Sequence, residues 1–112
     1  MWTITRIGFF SIVQKAEDIG KDTLTIRARV REDLDNLRKY LPDMTVIREN
    51  IGTDYQFRAR APRSSVVSAL STLVKEIDYN NFKNEVTKVQ GKERASAYSD
   101  VWWALSELGA EG

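Results

Sequence analysis

Cysteine and histidine are both absent from the 112 residues. Their absence excludes disulfides, a thiol nucleophile and the usual ligands of zinc, haem and iron–sulfur clusters. It also removes the side chain that most often carries protons near neutral pH. No metal or cofactor is therefore expected. Proline occurs only twice, too rarely for a proline-rich disordered chain. Charges interrupt every long apolar window, and Met1 to Arg6 lacks the basic start and apolar stretch of a secretion signal. The expectation is a cytoplasmic protein that does not engage membranes. Net charge is +1, so no global field draws the chain to a polyanion. What is present is ordinary for a folded chain: 42% hydrophobic and 29% charged residues, enough for a single domain over 1–112.

Periodicity supplies the elements. Residues 2–14 are rich in β-branched and aromatic types and read as one strand, strand A, whose alternation slips at Gly8 as at a bulge. Residues 15–23 are polar and read as a hairpin connection. Strand B, residues 24–30, puts Leu24, Ile26, Ala28 and Val30 on one face and Arg27 and Arg29 on the other. A first helix follows from Arg31, with Leu34, Leu37 and Leu41 in its stripe, and ends at Pro42. Strand C covers residues 44–49. Strand D covers 55–61, with Tyr55, Phe57, Ala59 and Ala61 opposed to Arg58 and Arg60. A second helix after Pro62, capped by Ser64 or Ser65, carries Val66, Val67, Leu70, Leu73, Val74 and Ile77. Residues 79–82 form a turn with side-chain capping. A short helix with Phe82, Val86 and Val89 ends at Gly91, and a last one runs from Lys92 to Leu108, with Gly109 onward fraying.

This order predicts an α+β fold, a ferredoxin-like sandwich of ββαββα order. Its four-stranded antiparallel sheet would run A-B-D-C, with extra C-terminal helices. Leu24, Ile26, Val30, Phe57, Val66, Leu70, Leu73 and Val74 would share one core. Strands B and D would lie side by side, so Arg27, Arg29, Arg58 and Arg60 would gather on the face away from the helices. That face has two readings: a site for an anion, or guanidinium groups paired internally with acids such as Glu93, Asp100 or Glu107. Internal pairing is the preferred one. Because Tyr55 and Phe57 fall on the helix-covered parity, the aromatic platform of RNA-binding sheets is not expected.

Strand A is apolar on both parities, which calls for cover on both faces by the C-terminal helices or by a second copy of the chain. Trp102 fits the apolar stripe of the last helix, whereas Trp103 falls off it and is a candidate interface residue. No catalytic residue is identified. The acids at 32–35 suit a helix start, and no nucleophile–base pair, glycine-rich phosphate loop or metal-ligand spacing occurs. The segments Gly8–Gln14, Asp54–Ala59 and Ile77–Lys83, with Tyr98 and Trp102, are similar to those of a set of small bacterial proteins of unknown function. That resemblance implies a compact domain and transfers no site. The reading preferred from sequence is a non-enzymatic module acting by protein association, including self-association as a dimer. The alternative is a nucleic-acid or phosphate binder using the four arginines. A small histidine-free enzyme is the third and least favoured.

Overall fold

The first apolar stretch folds back on itself at Arg6 and Ile7. In the computed structural model, which describes residues 1–110, it forms two strands, β1 (Trp2–Thr5) and β2 (Gly8–Val13). The expected single strand A with a bulge is thereby corrected to a hairpin. Thr5 explains the turn: its hydroxyl accepts from the Ile7 and Gly8 N–H groups, each at 3.2 Å, and donates to the Gly8 carbonyl at 2.9 Å. Gly8 is required by a close approach. A Cβ there would lie 2.6 Å from Cγ of Asp33, whose carboxylate accepts the Phe9 N–H at 3.0 Å.

A single 3₁₀ turn, Ala16–Asp18, leads to β3 (Thr23–Ala28) and then α1 (Arg31–Arg38). The short β4 (Arg48–Glu49), β5 (Phe57–Pro62) and α2 (Arg63–Lys75) follow. The sheet is antiparallel, five-stranded and ordered β1-β2-β3-β5-β4. This is a mixed α+β fold, and the expected four-stranded ββαββα pattern is corrected by the additional hairpin strand. Strand C shrinks to two residues because the chain before it bonds irregularly to β5. The Thr45 N–H donates to the Arg60 carbonyl at 2.8 Å, but the Arg60 N–H goes to the Thr45 hydroxyl, also at 2.8 Å. Arg38 at the end of α1 fixes that stretch through the Met44 and Thr45 carbonyls, at 2.7 and 2.9 Å.

The described residues divide into two compact units, Met1–Ile77 and the residues from Asp78 onward. In the first, Phe10, Ile12, Ile26, Ala28, Ala59 and Ala61 from the sheet pack with Leu34, Leu37, Val66 and Ala69 from α1 and α2. Six expected core assignments change. Val30 precedes α1 at its N-cap position and is exposed, and Val74 is 65% exposed. Leu24, Phe57, Leu70 and Leu73 only flank the core, as partly buried residues. The start of α2 is also corrected: Pro62 is the N-cap residue, without a side-chain cap, and Ser65 instead donates to Asp43 at 2.6 Å.

The second unit is a helical hairpin of α3 (Phe82–Gln90) and α4 (Lys92–Ala110). Asn81 caps α3 by accepting the Asn84 N–H at 2.9 Å, and Gly91 turns the chain at φ 98°. Val86 and Ala95 are buried, and Phe82 stacks on Tyr98 with ring centroids 6.1 Å apart. The expected end of α4 near Leu108 is corrected, since the helix continues through Ala110. Residues 111–112, expected to fray, lie outside the described residues. Trp102 is 62% exposed, against the expectation that it joins a core, and Trp103 is exposed beside it. Among the described residues no helix is long and apolar enough to cross a membrane.

Candidate functional site

Opposed residues in an antiparallel sheet point to the same face. The register therefore builds one row across all five strands: Trp2 opposite Ser11, Ser11 opposite Arg27, Arg27 opposite Arg58, and Arg58 opposite Arg48. Three guanidinium-bearing residues thus occupy three adjacent strands on the face away from α1 and α2. Arg27 donates to the Ser11 hydroxyl at 2.7 Å and Arg58 to the Tyr55 carbonyl at 3.3 Å. Neither they nor Arg48 has a carboxylate within ion-pair distance among the described residues. The Nε atoms of Arg27, Arg58 and Arg60 are buried and make no hydrogen bond among the described residues.

Arg60 is different. Its NH2 lies 3.0 Å from the Glu17 carboxylate and its Nε 3.3 Å from Oδ1 of Asp18. Asp18 is fully buried in the 3₁₀ turn, where it accepts from Thr23 Oγ1 at 2.6 Å, Thr25 Oγ1 at 2.7 Å and the Lys15 N–H at 2.8 Å. Burial pushes the Asp18 carboxyl up. The hydrogen bonds from Thr23, Lys15 and Thr25, with the charge of Arg60, outweigh burial and hold it below the usual carboxylate range. Internal pairing is therefore real for Arg60, but its acids are Glu17 and Asp18.

Arg29 lies just past the end of β3 and is exposed. It does not join the row, yet it and Arg27 both sit over the Tyr55 ring, at 5.2 and 4.6 Å from its centroid. Tyr55 precedes β5 and is buried beside Phe9. Its expected place on the helix-covered face is corrected, because strand alternation does not extend back to residue 55. Trp2 stands edge-on to Phe9 at 5.8 Å and is 71% exposed. The face therefore combines aromatic rings with guanidinium groups, contrary to the expectation of arginines alone.

Beside the row lies a groove of 610 Å³. Lys15, Arg48, Arg58 and Arg60 line it, against the carboxylates of Glu17 and Glu49. Glu49 accepts from Gln56 at 2.7 Å, and Glu17 is held by Arg60. The groove is thus cationic, with Arg48, Arg58 and Lys15 in no ion pair among the described residues. Such an arrangement can take a multiply charged oxyanion through forked guanidinium donors. Thr25, which also lines the groove, donates its hydroxyl to the buried Asp18 carboxylate, and no group of three or more metal-ligating side chains occurs among the described residues.

Sequence reasoning missed Arg48, Lys15, Asp18 and Tyr55. Arg48 had a signal, since a strand over 44–49 beside strand D requires its alternate residues to extend the arginine row. Asp18 had none, being one acid in a polar connection until the turn folds it inward. The chain matches no protein-family model, no curated protein and no solved structure.

Proposed function

We propose that this chain is a non-enzymatic cytoplasmic binding module that takes a phosphate-bearing anion in the groove beside β4 and β5. The observation that carries this reading is the Arg27–Arg58–Arg48 row. Like charges directly opposed across strands destabilise a sheet by roughly a few tenths of a kcal/mol per pair, and no described carboxylate lies within ion-pair distance of these three. A ligand bringing several negative oxygens to the groove would meet Arg48 and Arg58 directly, with Arg27 next to Arg58 in the row. Nucleic-acid backbone and polyphosphate share this chemistry. The exposed ring of Trp2, edge-on to the half-buried Phe9 on the same face, adds stacking surface for bases.

The test is a titration with inorganic polyphosphate and with single-stranded RNA at low and moderate salt. Binding should weaken with rising salt, with a log–log slope of about −0.7 per phosphate contact for single strands. Arg58→Gln should remove most of the affinity. No binding at low salt, or binding indifferent to Arg58, overturns the reading. A second reading, association with a protein, is supported by the exposed Trp102, Trp103, Leu105 and Leu108 of α4. It predicts salt-insensitive binding that Trp102→Ser abolishes.

A further inference from the structure

The two edges of the sheet are unlike. At one edge, β4 is two residues long, and both Arg48 and Glu49 are charged and exposed. Short, charged edges resist further pairing. At the other, β1 reads Trp-Thr-Ile-Thr, without a charge, a proline or a bulge. It is twice the length of β4 and has no charge, proline or bulge to blunt it.

The hydrogen bonds of β1 determine which backbone groups point outward. Met1 and Ile12 exchange two bonds of 2.8 Å, from the Met1 amino group to the Ile12 carbonyl and from the Ile12 N–H to the Met1 carbonyl. Bonded and non-bonded pairs alternate along an antiparallel ladder. Thr3 therefore bonds inward to Phe10, while the N–H and C=O of Trp2 and Ile4 point away from β2. Those groups have no partner among the described residues. The outward sequence is donor and acceptor at residue 2, a gap at residue 3, donor and acceptor at residue 4. Rotated by a two-fold axis through Thr3, this pattern is its own complement.

We infer that β1 pairs antiparallel with β1 of a second copy, with Thr3 on the two-fold axis, joining two sheets into one of ten strands. Trp2 of each copy then exchanges both backbone bonds with Ile4 of the other, four in all. The Trp2 and Ile4 side chains, one exposed and one half-buried, form cross-strand aromatic–aliphatic pairs on the face that carries Phe9. No other occupant is required, because the edge supplies its own match. This pairing is independent of the anion site and goes beyond it.

The chain has no cysteine, so one introduced thiol reports on one position. On the two-fold axis Thr3 opposes itself as a non-hydrogen-bonded pair, with Cα atoms about 4.5 Å apart, inside the range a disulfide spans. Under mild oxidation Thr3→Cys should form a covalent dimer about tenfold faster than Trp2→Cys, whose thiols lie two registers apart, beyond a disulfide's reach. It should also outpace Thr53→Cys in an exposed loop. Ile4→Pro removes an outward N–H that bonds nothing within the chain. In the Thr3→Cys background it should reduce crosslinking to the rate of the loop control. Equal rates at residues 3, 2 and 53 overturn the pairing, and so does crosslinking that a folded Ile4→Pro protein leaves unchanged. If Ile4→Pro does not fold, the comparison of residues 2, 3 and 53 decides alone.

Discussion

Asp18 Oδ1 lies 3.3 Å from the Nε of Arg60, so one arginine of the sheet face is neutralised by a carboxylate buried beneath the hairpin connection. The same carboxylate collects two threonine hydroxyls and a backbone N–H. Arg60 is consequently part of the scaffold of the groove, while Arg58 and Arg48 have no carboxylate within ion-pair distance among the described residues.

Removing Asp18 strands these donors. Asp18→Ala should cost about 3–5 kcal/mol, the scale for breaking a buried charged network by deleting one partner. Urea unfolding measures it. A loss below roughly 1 kcal/mol, the scale of an exposed ion pair, would show that the network contributes little.

The pH dependence has a definite sign. The folded pKa of Asp18 lies below its unfolded value, so its contribution is present above the unfolded carboxylate range and lost as pH falls through the folded pKa. Stability should decline below about pH 4. In Asp18→Asn that part of the decline should disappear, as chemical melts at several pH values would reveal.

Arg58→Gln should leave the empty protein as stable as the wild type or slightly more so, because it removes a cation flanked by Arg27 and Arg48. Arg60→Gln should destabilise it, because Glu17 and Asp18 lose their cation. Thermal melts of the two variants side by side check the contrast. Equal destabilisation by both would mean that Arg58 is also internally compensated.

Gly8→Ala should cost roughly 1–3 kcal/mol through overpacking, since its Cβ meets the Asp33 side chain rather than open space. The same change at Gly109, inside α4 with nothing within 4 Å, should be neutral to stabilising by up to about 1 kcal/mol. Denaturant midpoints of the two variants provide the comparison.

Tyr55→Ala should cost about 3–5 kcal/mol, as for other buried large aromatic residues, and should also release Arg27 and Arg29 from the ring they share. Tyr55→Phe retains the ring and should restore stability and anion affinity together. Loss of both in the phenylalanine variant would assign the role to the hydroxyl instead.

Local periodicity by itself determined the α+β class, the helices at Leu34–Leu37 and Val66–Ala69, and the alternation of Arg58 and Arg60 against Ala59 and Ala61. These patterns were legible because each depends on which way neighbouring side chains point, a property of the local backbone. What tertiary structure decided were the events that interrupt a period. Thr5 bonding across the Arg6–Ile7 turn made two strands from one apolar stretch, and the Thr45 hydroxyl replaced a ladder bond and shortened β4. Tyr55 left the parity of β5 to lie beneath two guanidinium groups. Asp18 became the partner of Arg60 only when Thr23, Thr25 and a turn closed around it. Each depends on side chains meeting from separate segments. A one-dimensional pattern of apolar and charged residues does not encode those meetings, because their energy lies in distance and desolvation, which exist only once the chain has folded.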